Sequence, residues 1–311
     1  MSLTKKRVNV LPNEYPELLE LKDAIRHSYW LHTEFNYSSD IQDWKTKLKP
    51  EERNTIERAM LAIAQIEVDV KRFWANLYNI FPKPEFDALG VTFAESEVRH
   101  QDAYSFLLEL LGLQERFNHL PPILLKRIDQ ANKIKSQAPF LSVILFAQFI
   151  EHISLFSQFI VVMSFNKEKN ILKGISNAIE ATSKEEEIHG QAGILIHNLL
   201  KKENLLNEDF YEELQAIAKE TIQTELELVD WLFSDGDLAH IKKETVKDYV
   251  HYRYQRSLKL LGLKPEGKEW VNPFPWFDEE LLGIKEGDFF NKRITDYSKR
   301  TLAITKDNLF D

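Results

Sequence analysis

Two short segments of this chain carry a carboxylate and an imidazole at the same spacing. ESEVRHQDAY (95–104) holds Glu97 and His100, and SKEEEIHGQA (183–192) holds Glu186 and His189. On a helix, Glu-x-x-His puts both side chains on one face, one turn apart. A lone glutamate stands on the long helical segment before each motif: Glu67 before the first, Glu151 before the second. The order Glu…ExxH…Glu…ExxH is the donor set of a site for two metal ions. Each ion takes one imidazole and one terminal carboxylate, and the other two carboxylates bridge. One such motif is a weak signal; two, each with its own upstream glutamate, form a much stronger one. The donors are all oxygen and nitrogen, which suits iron or manganese. Zinc takes fewer carboxylates, and calcium has no need of the imidazoles.

The ligands must be carried inward by helices, and helical phase agrees. Glu67 falls on the stripe Ala59, Ile63, Ile66, Val70, Phe73, Trp74 and Leu77, whereas Asp69 aligns with the polar Gln65, Arg72 and Asn76. Glu97, His100 and Tyr104 share a stripe with Phe93, Leu107, Leu108 and Leu111. Glu151 runs with Ile144, Ala147 and Leu155; Glu186 and His189 run with Ile175, Ala178, Ile179, Thr182, Gly193 and Ile196. Four carboxylates on four apolar stripes are expensive unless they share cations. Tyr104 lies one turn beyond His100, which sets a phenol near the metals and makes it a candidate for one-electron oxidation, with Phe159 and Leu155 as candidate lining. His152 sits beside Glu151 but off its phase and reads as a satisfied core histidine. The pairs Asp237/His240 and Asp248/His251 read as solvated, and His27, His32, His119 and His197 as structural.

The rest of the chain fits a helical scaffold. It has 311 residues, 10 glycines and 11 prolines, and five of the glycines follow position 235. Helical patterns run over 15–35, 51–80, 84–113, 121–133, 138–165, 168–200, 207–234 and 243–262, without a strand pattern. The fold class expected is all-α, a ferritin-like helical bundle with the di-metal site in a four-helix core. A single domain is expected over 1–285, with 286–311 as a flexible C-terminal tail. The net charge of −9 argues against a nucleic-acid partner. The absence of cysteine excludes thiolate sites and fits a reducing, cytoplasmic setting. Segment 140–165 is long enough to cross a bilayer, yet Gln148, Glu151, His152 and Gln158 near its middle argue for a buried core helix and no membrane. The first twenty residues are not a signal peptide.

The chain resembles the small, radical-generating (beta) subunit of class I ribonucleotide reductase over nearly its whole length. The resemblance rests on FAESEVRHQDAYSFLLELLGL (93–113), FIEHISLFSQF (149–159), SKEEEIHGQAG (183–193), YRYQRSLKLLGL (252–263), NPFPWF (272–277) and DFFNKRITDYSK (288–299). It implies metal ligation by Glu67, Glu97, His100, Glu151, Glu186 and His189, and a radical stored on Tyr104. It further implies radical transfer through Trp30, of SYWLHTEF (28–35), and Tyr297, of TDYSK, to a separate large (alpha) subunit. The terminal Leu309-Phe310-Asp311 would dock on that subunit, and the small subunit would be a homodimer. Two departures are visible. Glu67 stands where many members have Asp, which is similar to subgroups using manganese or a mixed manganese/iron pair, so the oxidising equivalent could rest on Tyr104 or on the metals. Glu185 stands where the family commonly has an Asp linking the first metal-bound histidine to the tryptophan. No appended regulatory domain is expected.

The activity implied is reduction of ribonucleotides to deoxyribonucleotides, with no turnover by this chain alone. Two alternatives share the fold. A di-metal oxidase or oxygenase with its own substrate would have no use for Tyr297, and a ferritin-like iron store would form a hollow cage.

Overall fold

The computed structural model describes residues 2–68 and 70–282. Tyr297, Leu309-Phe310-Asp311 and the boundary expected at 285 lie outside the described residues. The described chain is helical, and no strand occurs among these residues. In order, the helices are α1 (Pro16–His27), α2 (Ser38–Thr46), α3 (Pro50–Ile66), α4 (Val70–Ala75), α5 (Leu77–Ile80), α6 (Pro84–Leu111), α7 (Pro122–Lys135) and α8 (Pro139–Leu145). A π-helical segment (Phe146–Ser154) follows, and then α9 (Phe156–Lys169), α10 (Lys173–Lys202), α11 (Glu208–Leu232), α12 (Lys243–Leu260) and α13 (Pro275–Leu282).

Proline opens α1, α3, α6, α7 and α8. Its fixed φ suits the first helical position, where an N–H would have no partner anyway. Gly112, at φ 71°, ends α6 in the left-handed conformation that a residue with Cβ avoids. The core is formed by α3, α6, α10 and the continuous rod α8–π–α9. Helix α1 packs on α6 and α10, α7 packs on α11, and α12 packs on α9 and the π segment. The apolar rod Pro139–Lys169 is the segment long enough to span a bilayer, and it is almost wholly enclosed by the other helices. Glycine lets α10 approach this rod. A Cβ on Gly193 would sit 2.6 Å from the Ala147 Cβ, and one on Gly190 would sit 2.6 Å from the His152 ring.

Two helical expectations need correction. The segment expected as 15–35 stops at His27, and an unforeseen helix, α2, follows. Helix α2 exists for a tertiary reason: its buried Asp40 and Asp43 accept hydrogen bonds from the backbone N–H groups of Ile175 (2.9 Å) and Leu172 (3.1 Å) at the start of α10. Anionic groups are favoured at that end of a helix. The segment expected as one helix over 51–80 is three, α3, α4 and α5, the first of which ends at Ile66. There Lys71 Nζ donates to the carbonyls of Glu67 (3.1 Å) and Val68 (3.0 Å), which the interrupted helix leaves without partners. Gln65, expected on a polar face, is buried. Neither Asp/His pair near the C-terminal end is simply solvated. His240 packs on Phe165 and bonds Ser164 Oγ (3.0 Å), while Asp237 accepts from the Lys243 N–H at the start of α12. His251 stacks on Trp270 with ring centres 4.5 Å apart.

Candidate di-metal centre

Glu67 caps the C-terminal end of α3. Glu97 and His100 lie on α6, Glu151 on the π segment, and Glu186 and His189 on α10. All six side chains are buried and converge. Donor atoms of Glu67, Glu97, His100 and Glu186 lie within 4.8 Å of one another, and so do donor atoms of Glu97, Glu151, Glu186 and His189. Glu97 and Glu186 belong to both groups. His100 Nδ1 is 3.1 Å from Glu97 Oε2 and 3.1 Å from Glu186 Oε1. His189 Nδ1 is 3.0 Å from Glu97 Oε1, 3.3 Å from Glu186 Oε2 and 3.5 Å from Glu151 Oε2. Each shared carboxylate therefore offers one oxygen to each side, the arrangement of a bridge. Glu67 and Glu151 stand at the two ends.

These donors fit metal ions. Both oxygens of Glu67 and of Glu186, Oε1 of Glu97, Oε2 of Glu151 and Nδ1 of His189 are buried without a hydrogen-bond partner. Each of these residues brings a donor atom within 4.8 Å of the other donors of its group, close enough to share an ion. Such orphaned carboxylate oxygens are costly in a dry interior unless cations compensate them. In the metal-free protein protons take that part. Burial pushes the Glu67 carboxyl well above its ordinary range, with the Glu97 charge adding to it, and pushes Glu151 up to about 8. Glu97 is held low despite its burial, chiefly by the His189 charge and the His100 hydrogen bond. Both imidazoles are raised well above their ordinary value. Burial opposes this, but the hydrogen bond that Glu185 accepts from His100 and the Glu97 charge beside His189 outweigh it. Ligands must shed such protons to bind a metal.

The outer ring nitrogens are anchored. His100 Nε2 pairs with Glu185 Oε2 (2.8 Å) and His189 Nε2 with Ser96 Oγ (3.2 Å), contacts that fix ring orientation in metal sites. Trp74, from α4, donates Nε1–H to Glu151 Oε1 at 2.6 Å and lies with its ring 5.6 Å from that of His189. The π segment widens the helix at Glu151 and displaces its carbonyls, and two buried arginines take these up. Arg253 Nε donates to the His152 carbonyl (2.8 Å). Arg127 donates to the Ser154 carbonyl, to that of Ala62 in α3 (2.5 Å) and to Glu225 (3.0 Å). Tyr104 is buried and its hydroxyl makes no hydrogen bond. Burial first, then the charge of Glu67, raises its pKa well above the ordinary value, so the phenol keeps its proton.

The sequence profile "Ribonucleotide reductase, small chain" matches residues 7–273. The chain belongs to the ribonucleotide reductase small-chain family. It is 26% identical to the "Ribonucleoside-diphosphate reductase subunit beta" of Chlamydia pneumoniae over 86% of this chain and 83% of that one. Among solved structures it superposes on the ribonucleotide reductase R2 subunit of Clostridium botulinum with a TM-score of 0.78 at 17% identity, covering 89% of this chain and 94% of that one. It superposes on the dimanganese(II) NrdF of Streptococcus sanguinis with a TM-score of 0.76 at 18% identity, covering 89% and 99%. The fold is therefore the ferritin-like bundle of these subunits, and the protein is a class I small subunit, part of an oxidoreductase that acts with a large subunit.

In this small subunit Trp30 and Glu185 meet at the edge of the site. Trp30 Nε1–H donates to Glu185 Oε2 (3.2 Å), the same oxygen that pairs with His100, and the indole lies over the His100 ring with centres 6.0 Å apart. Arg99 NH1 and NH2 donate to Glu185 Oε2 (3.2 Å) and Oε1 (3.0 Å). Sequence reasoning gave no role at the site to Arg99, Trp74, Ser96 or the two clamping arginines. Arg99 and Ser96 adjoin the first motif and could have been flagged as neighbours of its ligands; Trp74 stood on the inward stripe of Glu67 without a role, and nothing in the sequence marks Arg127 or Arg253. His152, as expected, is satisfied: it pairs with Glu187 Oε2 (2.8 Å) and Ser257 Oγ (3.2 Å).

Proposed function

We propose that this small subunit holds two metal ions, iron, manganese or one of each. Glu67 and His100 would hold one, Glu151 and His189 the other, and Glu97 and Glu186 would serve both. The observation that carries this reading is the pair of four-residue donor groups with two members in common. The metal pair, when bound, supplies the one-electron oxidising power on which the family's activity depends. This chain's own residues hold and protect that power. The burial of all six donors excludes water, Trp74 fixes Glu151, and Glu185 and Ser96 fix the imidazoles. Tyr104, enclosed and still carrying its proton, is the store for the oxidising equivalent, unless the metals keep it themselves. Trp30, tied to His100 through Glu185, passes the equivalent outward. Tyr297 then relays it to the large subunit, on which the tail 286–311 docks. Glu67 in place of the common Asp, together with the dimanganese neighbour, favours manganese in at least one position. The working form is a cytoplasmic homodimer. Val91 and Val98, exposed seven residues apart on the outer face of α6, are suited to an interface, which sizing of the purified protein tests.

The deciding experiment loads metal-free protein with iron, manganese or both in air and records metal content and the EPR spectrum. A tyrosyl signal that disappears in Tyr104→Phe is expected if Tyr104 is the store. A metal-centred signal that survives the substitution moves the store to the metals. Binding of about two metal ions per chain with no stable oxidised state under any loading would sink the radical-generating reading.

A further inference from the structure

Trp30 is only 5% exposed, so a reagent in solution does not meet its ring directly. Among the described residues its ring neighbours are Phe35, His100 and the guanidinium of Arg99. His100 leads inward to the donor cluster, and a phenylalanine ring is hard to oxidise. Arg99 leads outward. Its guanidinium carbon lies 5.8 Å from the Trp30 ring centre and 4.6 Å from that of Tyr29, a phenol that is 48% exposed. The stack is rigid. Arg99 Nε donates to both oxygens of Glu95 (3.2 and 3.0 Å), NH1 to the Trp30 carbonyl (3.4 Å) and Glu185, and NH2 to Glu185. An oxidisable, solvent-facing ring thereby lies one guanidinium layer from a buried indole that is stacked over a donor histidine.

We propose that Tyr29 is a solvent-facing relay residue through which a small one-electron donor reduces the oxidised centre by way of Trp30. The inference rests on the reading of Trp30 as a redox relay given above. Each step moves one electron. The oxidised centre takes an electron from Trp30, whose indole proton stays in its hydrogen bond to Glu185. Oxidised Trp30 takes an electron from Tyr29, and the phenolic proton passes to water. The donor in solution then returns one electron to the Tyr29 radical, and water returns the proton. Arg99 neither gains nor loses an electron; it holds the two rings in register and stays cationic. This port is separate from the route through Tyr297.

The test uses full-length protein loaded with metal and oxidised, with ascorbate as donor and decay of the EPR signal as the readout. Parent, Tyr29→Phe, Tyr29→Trp and Trp30→Phe are compared at equal metal content and equal starting signal. Tyr29→Phe should slow the decay about tenfold, the effect of ~1.4 kcal/mol on a barrier. Tyr29→Trp, which restores an oxidisable ring, should recover the parent rate, and Trp30→Phe should be at least as slow as Tyr29→Phe. Decay of Tyr29→Phe at the parent rate while Trp30→Phe is slow would overturn the role of Tyr29 and leave that of Trp30 standing. Decay of Trp30→Phe at the parent rate would overturn the Trp30 reading, and this proposal with it.

Discussion

Two clusters of buried charge lie back to back on the same helices. Glu151 and Glu186 face the donor cluster; the next residue in each case, His152 and Glu187, faces the opposite side. Residues adjacent on a helix point about 100° apart, so one pair of helices can serve both sites. On the far side every charge has a fixed partner. Glu187 accepts from Arg253 NH2 (3.1 Å) and Arg256 NH2 (2.9 Å) and pairs with His152, which burial and Arg253 bring down to about 4. On the near side the carboxylate oxygens converge with no arginine among them. Burial and residue type are alike in the two clusters. The difference is the source of positive charge: permanent on one side, exchangeable on the other. A closed ion cluster specifies packing, whereas an open one is a binding site.

The largest test of this contrast is removal of a shared carboxylate. Glu97→Ala or Glu186→Ala should abolish binding of both metals, whereas Glu67→Ala should keep about one of the two ions that such a site holds. Metal analysis after desalting measures this, and loss of only one ion in Glu186→Ala would show that it does not bridge. The matching change on the far side should act on stability. Glu187→Ala takes the shared carboxylate from the buried Arg253 and the partly buried Arg256 and should cost about 3–5 kcal/mol in denaturant unfolding. Glu186→Ala, in the metal-free protein, should cost clearly less, because the imidazoles of His100 and His189 beside it can shed the protons that its carboxylate helps to hold there. Equal losses in the two variants would erase the distinction between the clusters.

A smaller effect sharpens the picture of the near side. Trp74→Phe keeps the ring but removes the N–H bound to Glu151, and should weaken metal binding at that end by about 10–100-fold, as read by competition with a chelator. The smallest effect is on pH dependence. Glu151, at about 8 in the folded metal-free protein against an ordinary 4.5, binds a proton in the native state that the unfolded chain has already lost. The raised His100 and His189 act in the same direction. Stability of the metal-free protein should therefore be greatest at the acid end of this range and fall as pH rises toward about 8. The metal-loaded protein should lose this dependence, because ions replace the protons. Melting curves across the range check it, and a metal-free protein that grows more stable toward alkaline pH would refute the proton placement.

The sequence on its own determined the donor list and the helices that carry it. Glu-x-x-His is a local pattern, and helical periodicity fixes which face it occupies, so Glu97, His100, Glu186 and His189 could be read without knowing what lay opposite. The upstream glutamates were legible because a charge on an apolar stripe is conspicuous. Tertiary structure alone decided which carboxylates are shared, since bridging depends on distances between helices. It decided that the chain departs from regular helix at both terminal glutamates, through the break after Glu67 and the π segment around Glu151. Those irregularities survive because Lys71, Arg127 and Arg253, distant in sequence or set on other helices, satisfy the displaced carbonyls. It likewise assembled Trp74, Arg99 and Tyr29 around the site. A hydrogen bond or ring stack between residues on different helices leaves no periodic trace in a sequence, because it is set by packing and not by position along the chain.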